Sequence, residues 1–196
     1  IEIYQRIANN GTMILKLKKT IAFVGMMGAG KTAVGRAVAE KLQARFLDSD
    51  SEIERAANMS IAEIFVRDGE KFFRDREAQV IRRLFENEKC VLSTGGGAFI
   101  NAEVRDIMTT YGVSVWLKVD LDLLWLRVKN KESRPLLKTN DPLGSLKEIY
   151  NARQQTYALA DLTVESGKDL SIDAMADRVI DALVAKEEVL EVVDGT

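Results

Sequence analysis

Gly25-Met26-Met27-Gly28-Ala29-Gly30-Lys31-Thr32 constrains this chain more than any other stretch. It follows a short apolar run, Ile21 to Val24, and opens a helical segment from Ala33 to Leu42. G-x-x-x-x-G-K-[ST] between a strand and a helix is the pattern of a phosphate-binding loop. Glycines let successive backbone N–H groups turn inward as a nest for phosphate oxygens. The following helix aims its positive dipole end at the same anion. Lys31 can reach the β- and γ-phosphates of a nucleotide, and the Thr32 hydroxyl can ligate Mg2+. The competing reading, a Gly-rich turn that matches by accident, does not account for the correct flanks.

Composition excludes several chemistries. The chain has no histidine, so a His general base, a Ser–His pair and a His-bound metal are all ruled out. Its single cysteine, Cys90, allows no internal disulfide and no thiolate cluster, and beside Val91-Leu92 it reads as a small core residue. A reducing cytoplasm fits that usage. Net charge is −2, which gives no global attraction to nucleic acid or an anionic membrane. No run approaches the roughly 20 apolar residues of a membrane helix. Residues 1–20 lack the pattern of a secretory signal.

The 196 residues suit one domain, expected over 13–186, with 1–12 and 187–196 as tails of no assigned role. Met13 to Lys19 reads as the lead-in to the first strand. Strands are expected at 20–24, 45–48, 90–93, 113–119 and 161–165. Helices are expected at 31–43, 50–57, 61–67, 70–87, 101–110, 120–129, 142–159 and 172–186. Ser60-x-x-Glu63 is a capping box for the helix at 61, Asp68-Gly69 stops that helix, and Asn101 is an N-cap. This alternation predicts an α/β fold, a five-stranded parallel sheet with helices on both faces. Residues 129–141 are polar and hold Pro135, and Pro142, the other proline of the chain, follows directly. They read either as a mobile lid or as a plain surface loop.

Other candidate residues sit at strand ends, where open α/β sheets bind ligands. Asp48 and Asp50 close the second strand. Their spacing of two is expected to send the side chains to opposite sides, one to a metal and one to a second substrate, unless Asp48 is simply a helix N-cap. Gly95-Gly96-Gly97 follows the third strand, as a close-approach surface for a ligand or as a tight turn. Arg74 and Glu77 share a helix face, either as an oriented guanidinium or as a solvated pair. Arg153 and Tyr157 are equally ambiguous on spacing alone.

Together these residues resemble the shikimate kinases, members of the P-loop nucleoside-monophosphate-kinase-like superfamily. The resemblance runs from Lys18 to Lys186 and rests on GMMGAGKT, Asp48-x-Asp50, F-R-x-x-E at Phe73 to Glu77, and GGG at 95–97. R-P-L-L at Arg134 to Leu137 and R-x-x-x-Y at Arg153 to Tyr157 complete the set. It implies ATP-dependent phosphorylation of the shikimate 3-hydroxyl, with Mg2+ as cofactor, in a monomeric cytoplasmic enzyme. Gly28, Ala29, Gly30, Lys31, Thr32 and Ala33 would bind ATP, with Arg127 against the adenine and Arg134 closing over the phosphates from the lid. Thr32 and Asp48 would hold the metal. Lys31, Asp50 and Arg134 would be catalytic, Asp50 taking the acceptor proton. Arg74 and Arg153 would clamp the shikimate carboxylate, Glu77 would orient Arg74, and Gly95, Gly96 and Gly97 would contact ring hydroxyls. The substrate-binding region would span about 48–80. The stretch Arg127-Val128-Lys129-Asn130 lacks a threonine that many members carry there. A gluconate-type kinase would explain the phosphate loop and the lid but not two arginines beside Asp48-x-Asp50 and GGG. A non-catalytic relative should have lost Lys31, Asp50 or Arg134, and all three are present.

Overall fold

Apolar runs without polar alternation need cover on both faces, and the chain supplies it with helices between strands. The computed structural model describes residues 13–130, 135–186 and 188–194. After β1 (Met13–Leu17) come β2 (Thr20–Val24), β3 (Arg45–Asp48), β4 (Cys90–Ser93), β5 (Gly112–Val119) and β6 (Leu162–Ser166). These last five form a parallel sheet in the order β3-β4-β2-β5-β6. Among the described residues seven α-helices flank it: α1 (Lys31–Lys41), α2 (Ser49–Ala57), α3 (Ile61–Asn87), α4 (Ala102–Tyr111), α5 (Leu121–Val128), α6 (Pro142–Tyr157) and α7 (Ile172–Val184).

Burial follows position in the sheet. Every residue of β2 and β4 is buried, whereas of the edge strands β3 exposes Arg45 and β6 exposes the alternate positions Thr163 and Glu165. Ile21 and Phe23 are wholly inside. A large side chain buried to that extent stabilises by about 1.5–3 kcal/mol. Cys90 is buried at the start of β4, as expected, and burial pushes its thiol up to about 11. At neutral pH the thiol is therefore protonated and a poor nucleophile.

The expected helix boundaries hold because their local chemistry is satisfied. Ser60 Oγ accepts from the Glu63 N–H, and a Glu63 carboxylate oxygen accepts from the Ser60 N–H. Asn101 Oδ1 accepts from the Glu103 N–H at 2.9 Å. The break at Asp68-Gly69 appears as one non-helical residue inside α3, Gly69, at φ 81° and ψ 174°. Helix resumes directly beyond it.

Two expectations fail at the ends of the domain. Met13 to Leu17 does not lead into the parallel sheet but pairs antiparallel with β7 (Leu190–Asp194) in a separate two-stranded ribbon. Residues 190–194 are thus not a tail without a place. Leu15, Leu17, Val189 and Leu190 are buried against the main core, so the ribbon is held by hydrophobic burial. The N-terminal residues 1–12 lie outside the described residues.

Candidate active site

β2 lies between β4 and β5, and the chain leaves it first toward β3 and β4, later toward β5 and β6. That reversal opens a crevice at the carboxyl ends of the strands. The loop after β2 enters the crevice with Gly25, Gly28 and Gly30 at φ 130°, 80° and 93°. Side chains strain such a backbone, which accounts for glycine at these places. Gly30 is the N-cap of α1 and provides no side-chain cap, so the leading N–H groups of the helix remain available to an anion. Lys31 folds back over the loop, donating to the carbonyls of Gly25 at 2.8 Å and Met26 at 2.9 Å. The cleft has a volume of about 510 Å3, and the loop, Asp48, Asp50, Ser93 and Arg127 all contribute to its lining.

Three hard oxygen donors meet beside the loop. Thr32 Oγ1 lies 3.4 Å from Asp48 Oδ2 and 3.1 Å from Ser93 Oγ. Asp48 has a second use, because its Oδ1 accepts from the Asp50 N–H at 3.1 Å and caps α2. The helix-capping reading of Asp48 therefore holds, and its other oxygen faces Thr32. The expected geometry of the pair needs correction. Residues two apart in a strand share a face, and Asp50 is not in a strand at all. It sits in the first turn of α2, and the strand-to-helix turn separates the two carboxylates. Burial, then the nearby Asp48, raise the Asp50 pKa above the usual carboxylate range, while Lys31 and Arg74 work in the opposite direction.

Gly95 to Gly97 bring two arginines together. A Cβ on Gly97 would stand 2.7 Å from Arg74 Nη2, and one on Gly96 would stand 4.0 Å from Arg153 Nη1. Guanidinium groups from α3 and α6 thus flank the same tripeptide. Arg74 Nη1 donates to Glu77 Oε2 at 2.7 Å, and Glu77 is only 1% exposed. Burial raises the Glu77 pKa, Arg74 opposes that, and Asp50 adds to it. The Gly96 carbonyl accepts from Arg153 Nη1 at 3.3 Å and from the buried Tyr157 hydroxyl. Gly95 in turn donates its N–H to Ser49 Oγ at 3.2 Å, tying the loop to α2.

Lys31, Thr32, Asp48, Asp50, Gly95 and Gly96 line the cleft, and Arg74, Glu77, Arg153 and Gly97 adjoin it around the glycine loop. Arg127 also lines it, donating to the Gly28 and Ala29 carbonyls at 3.3 and 3.5 Å, and burial lowers its pKa. Arg134 lies outside the described residues; Pro135–Leu137 after it form a short 3-10 turn. Sequence reasoning missed Ser93 and Ser49, whose hydroxyls carry no recognisable spacing. It also missed Ser166, Leu170, Ile172 and Met175, which line the cleft from β6, α7 and the loop between them. Only strand order could have found them.

A model of the shikimate kinase family matches residues 27–184. The chain is 60% identical over 175 residues to the shikimate kinase of Ruegeria pomeroyi, covering 89% of this chain and 90% of that one. It is 56% identical to the shikimate kinase of Cereibacter sphaeroides, covering 91% and 89% of the two chains. Among solved structures, shikimate kinase from Acinetobacter baumannii in complex with shikimate superposes with a TM-score of 0.80 at 36% identity, covering 86% of this chain and 94% of that one. With the family pattern matched across most of its length, this chain belongs to the shikimate kinase family.

Proposed function

We propose that this chain transfers the γ-phosphoryl group of ATP to the 3-hydroxyl of shikimate, yielding shikimate 3-phosphate and ADP on the route to chorismate and aromatic amino acids. One observation carries the reading: a phosphate-binding loop, the Asp50 carboxylate and Gly96 line one cleft, and two arginines flank Gly96 and Gly97 at its edge. A phosphate donor, a proton acceptor and a carboxylate clamp are what phosphorylation of a hydroxy acid requires.

The chain's own residues divide the work. Gly28 to Ala33 cradle the ATP phosphates with backbone N–H groups, and Lys31 neutralises charge on the transferred group. Arg127 lies beside the nucleotide. Arg74 and Arg153 fork onto the acceptor carboxylate, with Glu77 fixing Arg74, and Gly95 to Gly97 approach the ring. Asp50 takes the 3-hydroxyl proton as the new O–P bond forms, while the bond from the γ-phosphorus to its bridging oxygen breaks and ADP leaves with the electron pair. The raised Asp50 pKa makes that carboxylate a stronger base than an exposed one. Arg134 is proposed to close over the phosphates, a role that rests on the family resemblance.

Thr32, Asp48 and Ser93 fit Mg2+, which takes one or two carboxylates, hydroxyls and substrate phosphates rather than a full protein cage. When bound, the ion supplies positive charge to the β- and γ-phosphates. A monomer and a cytoplasmic location belong to the same proposal, the single cysteine being suited to a reducing compartment. No helix among the described residues is long and apolar enough to cross a membrane.

A coupled ADP-release assay tests the reaction. ADP formation is expected with shikimate and not with gluconate or with water alone, and chelation of divalent metal should abolish it. ADP release that ignores shikimate would sink the proposal.

The carboxylate clamp has a sharper test in Gly97→Ala. Gly97 has an ordinary φ of −93°, so alanine fits the backbone. Its methyl would nevertheless stand 2.7–2.9 Å from the Arg74 guanidinium, which must move. The KM for shikimate is expected to rise about tenfold or more, since one charge-assisted hydrogen bond lost is worth that much. The KM for ATP should change little. Equal shifts in both parameters would take Arg74 out of the acceptor site.

A further inference from the structure

α2 and α3 line a second cavity of about 480 Å3 that shares no lining residue with the cleft beside the phosphate loop. Its floor is apolar, built from buried Ile53, Ile64 and Val80 with half-buried Phe72. Its rim carries exposed Arg67, Arg76 and Arg83, and no acidic side chain is among the lining residues. The three arginines differ in their partners. Arg67 donates Nε and Nη2 to Asp68 at 2.9 and 2.7 Å. Arg83 Nη2 lies 3.7 Å from Glu52, a carboxylate that Arg55 also holds.

Arg76 pairs with no carboxylate among the described residues. Its Nη1 donates to Gln79 Oε1 at 2.8 Å, and its guanidinium stands 4.9 Å above the Phe72 ring. A guanidinium has five donors in a planar fork, so a neutral amide on one of them leaves its charge uncompensated. A cation held above an apolar floor, in a cavity of ligand size, selects for a molecule with one flat apolar part and one anionic part. A bare inorganic anion would leave the floor wet.

We propose that this cavity binds a small aromatic or alicyclic monocarboxylate, its ring on Ala56, Ala57 and Phe72 and its carboxylate on Arg76. The inference goes beyond the kinase reading and adds a site that the reaction does not use. Its position gives it a consequence. On α2, Ile53 follows Asp50 by one turn, and on α3 Arg76 lies between Arg74 and Glu77 in sequence. An occupant wedged between the two helices shifts them relative to each other, so acceptor affinity responds to it.

Binding is tested without turnover, by amide chemical shifts of the full chain titrated with 3-phenylpropanoate. Saturable shifts are expected at residues 53–57 and 76–83 below about 10 mM, the range open to a ligand of this size. Saturating shikimate should leave them in place. The neutral 3-phenylpropanamide and inorganic phosphate should bind about tenfold more weakly, as should the carboxylate to Arg76→Gln. The same probe should change the KM for shikimate in the parent and not in Arg76→Gln. The proposal is overturned by absence of saturable shifts, by their loss on adding shikimate, or by an amide that binds as well as the carboxylate. An unchanged KM with the probe bound would overturn the coupling between the sites.

Discussion

Asp50→Asn is expected to lower kcat by about 10²–10⁴, the usual worth of a positioned base, while the fold and its ATP affinity persist. The carboxylate stands in the first turn of α2, facing the crevice, and is capped through its own N–H by Asp48. Asparagine keeps that N–H and nearly the same shape but cannot take a proton. A stability effect of the opposite sign accompanies the loss. Because burial and Asp48 raise the Asp50 pKa, its ionisation costs stability at any pH above its folded value. That cost fades as pH falls and is gone below the unfolded carboxylate value. Asn carries no such cost, so at neutral pH the variant should melt at the same temperature as the parent or higher, and the gap should close in acid. In the parent, kcat/KM should fall in acid with a midpoint above the ordinary Asp range. Steady-state kinetics and thermal melts across pH check all three statements. Near-parental turnover in the variant would remove Asp50 from the mechanism.

Lys31→Met should lower kcat/KM for ATP by about 10²–10³, the size seen when one preorganised charge donor is removed. Two functions are lost together. The ammonium no longer meets the transferred phosphoryl group, and the Gly25 and Met26 carbonyls lose the donor that holds them at 2.8 and 2.9 Å. Lys31→Arg should not rescue activity, because the planar fork is bulkier than an ammonium and the side chain is 9% exposed. Calorimetry with a non-hydrolysable ATP analogue separates the two functions. Weakened ground-state binding reports the loop, and a further loss in kcat reports the transition state. Turnover close to the parent's would show that the loop amides and the metal suffice without the lysine.

Much of this architecture was legible from local pattern alone. Unbroken apolar runs at 20–24 and 90–93 became central strands because burial on both faces tolerates no polar alternation. Ser60 with Glu63, and Asn101, started helices where expected because a cap acts over three or four residues. The phosphate loop was readable for the same reason, since every part of it lies within eight consecutive positions.

What the sequence by itself determined is therefore whatever short-range physics decides: periodicity, caps, the glycine-bearing loop and, through the motifs it resembles, the family. Tertiary structure decided everything that depends on residues far apart meeting. The β1–β7 ribbon joins Leu15 to Val192, and neither run announces its partner because antiparallel pairing leaves no mark in either strand separately. Ser93 comes beside Thr32 only because β4 lies next to β2. The direction of Asp50 was misjudged from spacing because the chain had already turned from strand to helix at Ser49. Arg74 and Arg153, 79 positions apart by number, flank one tripeptide because Gly96 and Gly97 have no side chains to hold them off. Distances of that kind are set by how helices pack on a twisted sheet, which no local rule contains.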